Sequence, residues 1–243
     1  MDIVKHLPNS LTCANLLCGC VAIVATFTGH VHNASLYLLA ALVFDFLDGF
    51  AARALKAYSP LGKELDSLAD VVTFGVLPGV IFFHLFLKSN FFILIDNRML
   101  FNMLRYFFFI NTICAALRLA KFNIDTRQTN YFLGLPSPAN AIFIASLPLI
   151  VMHDQFGLKP YILNPLILIG ICILFSVLMI SEIPLLALKF KNFKWSDNKP
   201  QFILIGLTVV LIPLLKFVAI PVIIILYILL SLVFKKHITA NNP

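Results

Sequence analysis

Residues 45–70 read DFLDGFAARALKAYSPLGKELDSLAD, with the spacing Asp45-x2-Asp48-Gly49-x2-Ala52-Arg53-x8-Gly62-x3-Asp66-x3-Asp70. On a helix, residues three or four apart are neighbours at about 5–6 Å between Cβ atoms. Asp45 and Asp48 therefore share one helix face, and Asp66 and Asp70 share another. Ser59-Pro60 and Gly62 form a turn signal between them. The two helices are expected to be antiparallel neighbours whose carboxylates converge on one site. Four carboxylates do not gather unaided, because like charges repel and each loses hydration. Arg53 offsets one charge at most. Hard oxygen donors point to divalent ions, Mg²⁺ or Mn²⁺ rather than zinc. Four shared carboxylates suit a pair of ions about 3.5–4 Å apart, the arrangement that clamps attacking and leaving oxygens in phosphoryl transfer. Gly49, Ala52 and Gly62 leave room for a phosphate-bearing ligand to approach the backbone. Metal-assisted chemistry on a phosphate is the expectation.

The elements that must position these groups belong to a membrane. The chain has 243 residues, 60% of them hydrophobic and 12% charged, and its mean hydropathy is +0.97. Soluble domains carry about 25% charged residues. Apolar stretches approach or exceed the roughly 18–20 residues that cross a bilayer as helix, and none alternates with the period of a transmembrane barrel. The fold class is all-α, a polytopic integral membrane protein of about eight transmembrane helices. Spans are expected near 12–28, 35–55, 65–87, 100–121, 139–153, 161–187, 201–215 and 217–234, with Pro136 and Pro138 separating the fourth from the fifth. The first could pass for a signal peptide, but no small-x-small cleavage site closes it, and a retained helix is expected. The run 202–234 is interrupted only by Lys216, between Pro213 and Pro221. As one helix it would reach roughly 50 Å, beyond a core of about 30 Å, so a hairpin is expected.

Basic residues set the orientation. With both termini inside, Lys5, Arg53, Lys56, Lys63, Arg118, Lys121, Arg127, Lys189, Lys191, Lys194, Lys199, Lys235 and Lys236 are cytoplasmic, 13 of 18. Lys88, Arg98, Arg105, Lys159 and Lys216 are left for the other face. The active site is then at the cytoplasmic ends of helices 2 and 3, in a cytoplasmic inner membrane. The net charge of +7 needs no nucleic acid, since a basic rim suits anionic headgroups.

Two other constellations carry less. Cys13, Cys18, Cys20, Cys114 and Cys172 are scattered through the spans. Cys18 and Cys20 stand about 200° apart on a helix and cannot ligate together, so packing is expected and no disulfide framework. His30 and His32 sit in a short outer loop without acidic or thiol neighbours. A cation or proton transporter could also use intramembrane carboxylates. Transporters, however, place them in repeated halves, and here Asp125, Asp154, Asp197 and Glu182 are isolated.

The eight fixed positions resemble the signature of the CDP-alcohol phosphotransferase family, membrane enzymes that transfer a phosphatidyl or related group from a CDP-linked lipid to an alcohol. Within that family LPNSLTCANLLCG (7–19), AALRLAKFN (115–123) and YFLGLPSPAN (131–140) resemble segments of the serine-using bacterial branch. The likeness runs from about residue 7 to 188, implying a catalytic domain over 1–188. A basic loop and C-terminal hairpin (189–243) belong to the same bundle. Lys121 stands where the branch would have an arginine. The resemblance implies that Asp45, Asp48, Asp66 and Asp70 hold two divalent metals and that Asp70 also acts as the base. It implies CDP-lipid binding by Asn9, Thr12, Gly49, Arg53 and Ser59, with CDP-diacylglycerol and L-serine as substrates and a homodimer as the assembly. Serine needs a cation for its carboxylate and acceptors for its ammonium. Arg118, Lys121, Asn123, Ser137 and Asn140 lie on the same side for that task, which topology and helix capping would explain equally. Glycerol-3-phosphate, inositol or an inositol phosphate are alternative acceptors.

Overall fold

A computed structural model describes residues 6–91, 97–125, 131–187, 195 and 198–235. Lys5, Arg127, Lys189, Lys191, Lys194 and Lys236, and with them most of the basic loop, lie outside the described residues.

Helix α1 (Leu7–Phe27) opens with Pro8 in its first turn, where the missing N–H leaves no helical bond unmade. Its buried stripe is Pro8, Thr12, Asn15, Gly19, Ala22 and Thr26, small and polar side chains that let neighbouring backbones approach closely. Helix α2 (Val31–Ala54) ends in a Schellman closure. Ala57 N–H donates to Ala52 O at 3.0 Å and Lys56 N–H to Arg53 O at 3.3 Å, with Lys56 at φ 51°. Helix α3 (Pro60–Asp70) starts at Ser59, whose Oγ accepts from Gly62 N–H at 2.9 Å. A wide π-helical turn, Val71–Val76, joins α3 to α4 (Leu77–Leu87). Helices α5 (Arg98–Phe107) and α6 (Ile110–Ile124) form the next pass, followed by α7 (Ser137–His153) and α8 (Pro165–Ile180). The chain closes with α9 (Lys199–Leu215) and α10 (Ala219–Val233).

Among the described residues five stretches are long and apolar enough to cross a membrane, 7–27, 31–54, 60–87, 98–124 and 199–233, and α7 and α8 are shorter apolar helices. The protein is an all-α polytopic membrane protein. Residues 199–233 are not one rod. Lys216 sits at φ 48°, ψ −120°, which breaks the helix, and α9 packs against α10. The described residues thus make eight apolar helical stretches, α1, α2, α3–α4, α5–α6, α7, α8, α9 and α10, the last four of them short.

Two boundaries differ from expectation. Pro138 lies inside the first turn of α7 rather than between helices, as its fixed φ permits. The span expected at 161–187 stops at Ile180. Beyond it β2 (Pro184–Leu186) pairs antiparallel with β1 (Tyr131–Leu133), in the register Tyr131↔Leu186, Phe132↔Leu185, Leu133↔Pro184. Pro184 cannot donate to a continuing helix, and a short apolar run reads alike as buried helix or buried strand. After β1 the chain turns at Gly134, φ 73°, where an added Cβ would fall 2.5 Å from Met179 O and 2.7 Å from Ser181 O. Only glycine fits there. Helix α10 covers the free edge of β2. Tyr227 OH donates to Leu186 O at 3.0 Å, and Leu186 N–H donates to Ser231 Oγ at 3.1 Å.

The core centres on α4 and α7, with Leu77, Ile81, Phe82 and Phe86 facing Ala141, Ile144, Leu147 and Ile150 among the buried side chains. Phe108 stacks on Phe82 at 5.4 Å between ring centroids and tilts against Phe86 at 5.2 Å.

Candidate active site

Helix α1 packs on both α2 and α3, while α2 and α3 face each other across a gap. Four acidic side chains need space for whatever neutralises them, and α1, packed on both helices, is the scaffold they share. Across the gap, carboxylate oxygens of Asp45, Asp48 and Asp66 all lie within 4.8 Å of one another. Asp70, one turn beyond Asp66, brings its carboxylate into hydrogen-bonding contact with that of Asp45. Asp48 is buried and the other three are half-buried. Among the described residues no lysine or arginine makes an ion pair with any of the four; the pair Lys121–Glu182, 3.2 Å, lies at the surface. An ion about 2.0–2.6 Å from each ligand oxygen spans a cluster of this size. The donors are all hard oxygens, so the residues present fit a divalent cation.

One face of α1 supports these acids. Thr12 Oγ1 donates to Asp48 Oδ2 at 2.7 Å. Asn15 Nδ2 donates to Asp70 Oδ1 at 3.4 Å. Asn15 is fully buried, its Oδ1 has no partner among the described residues, and its main-chain oxygen accepts from Thr73 Oγ1 at 3.4 Å. Sequence reasoning singled out Asn9 and Thr12 but missed Asn15. The signal was present, since Asn9, Thr12 and Asn15 recur every three residues in an otherwise apolar span.

Beside the acids lies a cavity of about 500 Å³, within the range of small-molecule sites. Asn9, Thr12, Gly49, Arg53 and Ser59, the five residues expected to bind the CDP-lipid, all line it together with Asp48 and Asp66. Arg53 folds over Gly49, with a guanidinium nitrogen 3.5 Å from where a Cβ would stand. At Gly62 a Cβ would fall 2.9 Å from Asn9 Oδ1 and 3.0 Å from Ser59 Oγ, so Gly62 lets α1 and the α3 cap meet.

The five residues expected at the acceptor do not form one group. Arg118 is buried, 7% exposed. It donates from an Nη to Ser137 Oγ at 3.3 Å, lies 5.2 Å over the Phe122 ring and is attracted by the Asp70 carboxylate. Among the described residues its Nε has no partner. Lys121 is at the surface with Glu182. Asn123 donates to Ser67 Oγ at 2.7 Å and accepts on its main-chain oxygen from Lys63 Nζ at 3.4 Å, stapling α6 to α3. Asn140 exchanges hydrogen bonds with Asn111 at 3.0 and 3.3 Å inside the core, where Asn111 also donates to Ser176. Of the five, Arg118 and Ser137 are joined to each other, with Arg118 within electrostatic reach of Asp70, while Lys121, Asn123 and Asn140 have other partners.

A family model described as CDP-alcohol phosphatidyltransferase matches residues 5–185. The CDP-diacylglycerol–serine O-phosphatidyltransferase of Bacillus subtilis (strain 168) is 36% identical over 191 residues, 78% of this chain and 92% of that protein. The Saccharomyces cerevisiae protein of the same name is 34% identical over 158 residues, 58% of this chain and 53% of its own. The archaetidylserine synthase of Methanothermobacter thermautotrophicus is 30% identical over 179 residues, 73% of this chain and 68% of its own.

Proposed function

The chain belongs to the CDP-alcohol phosphatidyltransferase family, and we propose that it transfers the phosphatidyl group of CDP-diacylglycerol to the hydroxyl of L-serine, giving phosphatidylserine and CMP. The observation that carries this reading is the convergence of Asp45, Asp48 and Asp66 on one point at the edge of the cavity, in a chain similar to enzymes named for that reaction.

Asp45, Asp48, Asp66 and Asp70 are the residues that would hold two divalent ions, Mg²⁺ or Mn²⁺. When bound, such ions offset the crowded carboxylates and draw charge from a pyrophosphate. The chain's own groups do the rest. Arg53, free to swing from Gly49, pairs with the pyrophosphate of the CDP-lipid, and Asn9, Thr12 and Ser59 offer hydrogen bonds to the nucleotide. Asp70, steadied by Asn15, accepts the proton of the serine hydroxyl. The serine oxygen then bonds to the phosphatidyl phosphorus, and the phosphorus–oxygen bond to CMP breaks with the electron pair leaving on CMP. Arg118, oriented by Ser137 and within electrostatic reach of Asp70, takes the serine carboxylate. The acyl chains extend sideways into the bilayer. The excess of Lys and Arg at the acidic end supports a cytoplasmic active site, with both termini inside the inner membrane. A homodimer rests on the family likeness.

The test is an assay of the detergent-solubilised protein with CDP-diacylglycerol, labelled serine and Mn²⁺ or Mg²⁺. CMP release with a serine-bearing lipid is expected. Labelling from glycerol-3-phosphate or inositol but not serine would move the protein to a sister activity. Cation flux in liposomes without CMP release would make it a transporter.

A further inference from the structure

The last two passes lie beyond the segment matched to the family, 5–185, yet one of them is tied to Arg118 through buried hydrogen bonds, a strand pairing and the short stretch of chain that follows it. Tyr227 on α10 is 6% exposed. Its hydroxyl donates to Leu186 O at 3.0 Å, while Ser231 Oγ accepts from Leu186 N–H at 3.1 Å and donates to Tyr227 O at 2.7 Å. Both main-chain polar groups of Leu186 are therefore satisfied by α10. Leu186 is the register partner of Tyr131. From β1 the chain passes Gly134, pinned by Gly134 N–H to Ile183 O at 2.9 Å and Leu135 N–H to Leu178 O at 2.9 Å, and reaches Ser137, which holds Arg118. Tyr227 also lies within electrostatic reach of the Arg118 guanidinium.

Arg118 has five N–H donors, and among the described residues its one hydrogen bond goes to Ser137. A guanidinium buried with spare donors is costly until an anion arrives, and a carboxylate meets two of them at once. Its aim is set by Ser137, on the loop that the ribbon carries.

We propose that the C-terminal hairpin completes the acceptor pocket, with Tyr227 and Ser231 as positioning residues that fix the β1–β2 ribbon and thereby aim Arg118 at the acceptor's carboxylate beside Asp70. This rests on the reading of Arg118 as the carboxylate-binding group. Neither residue touches the reacting atoms; both act through Leu186.

The experiment is steady-state kinetics on the full chain in detergent with Tyr227→Phe, which keeps the ring and removes the hydroxyl, and with Ser231→Ala. In each variant the KM for L-serine is expected to rise about tenfold, equivalent to about 1.4 kcal/mol. The kcat and the KM for CDP-diacylglycerol should stay within about twofold. Inhibition by L-alanine, which carries the carboxylate without the hydroxyl, should weaken in parallel, and inhibition by ethanolamine, which lacks the carboxylate, should not change. An unchanged serine KM in folded protein overturns the proposal. So does a uniform loss across both substrates and kcat, the mark of general loosening. If Tyr227→Phe does not accumulate as folded protein, Ser231→Ala decides by the same readings. Should the wild type use a different hydroxyl acceptor, the serine reading falls, and the same KM split measured with that acceptor decides the role of the hairpin.

Discussion

Asn15 on α1 donates to Asp70 on α3 across a helix–helix contact, Nδ2 to Oδ1 at 3.4 Å, from a site with no solvent exposure. Thr12, one turn earlier, does the same for Asp48 at 2.7 Å. The acids on α2 and α3 are thus steadied from a third helix that carries no acid of its own within the span.

Asn15→Ala removes the partner that orients Asp70. Groups that orient a ligand or base are worth about 10–100-fold in activity or metal affinity. The variant is expected to lose kcat by about that factor with little change in the KM for CDP-diacylglycerol. Serine-dependent CMP release across a Mg²⁺ titration measures it, and wild-type turnover would reduce Asn15 to a packing residue.

Asp70→Asn keeps the shape and removes the proton acceptor. A positioned base contributes about 10²–10⁴-fold, so turnover should drop by at least that range while the protein keeps its thermal unfolding midpoint. Full activity in the variant would sink the base assignment.

Gly62→Ala places a methyl group 2.9 Å from Asn9 Oδ1 and 3.0 Å from Ser59 Oγ, closer than carbon and oxygen tolerate. Asn9 or the α3 cap must yield. The expected result is a higher KM for CDP-diacylglycerol, together with a loss of about 1 kcal/mol from the disturbed N-cap. Kinetics and thermal unfolding read the two effects separately, and an unchanged KM would detach Asn9 from the lipid site.

Lys56 holds a left-handed conformation, φ 51°, at the end of α2, a place that glycine takes without strain. Lys56→Gly should stabilise the protein by about 1 kcal/mol, the steric cost of that conformation less the extra chain entropy of glycine. Catalysis should be untouched, because Lys56 does not line the cavity. A lower unfolding midpoint in detergent would show that the lysine side chain makes up for the strain.

The acids, the membrane class and the hairpin were legible because each rests on strong local chemistry: a carboxylate in lipid needs a reason, and an apolar run of 33 residues needs a turn. The β1–β2 ribbon was not, because Pro184-Leu185-Leu186 is as apolar as the span before it and its pairing partner lies 55 residues earlier in the register Tyr131↔Leu186. The π turn at Val71–Val76 leaves no mark in composition. The scatter of Lys121, Asn123 and Asn140 away from Arg118 was hidden for another reason. Side and depth follow from topology, but which way a polar group points follows from tertiary partners such as Ser67 and Asn111.

That π turn also divides the third pass into two economies. Before it, α3 buries Ala69 alone; after it, α4 buries Leu77, Pro78, Gly79, Val80, Ile81, Phe82, Leu85 and Phe86. One continuous rod therefore has a half that works and a half that anchors. Substitutions before Val71 can change what the enzyme does without unfolding it, whereas those after Val76 act on whether it is there at all.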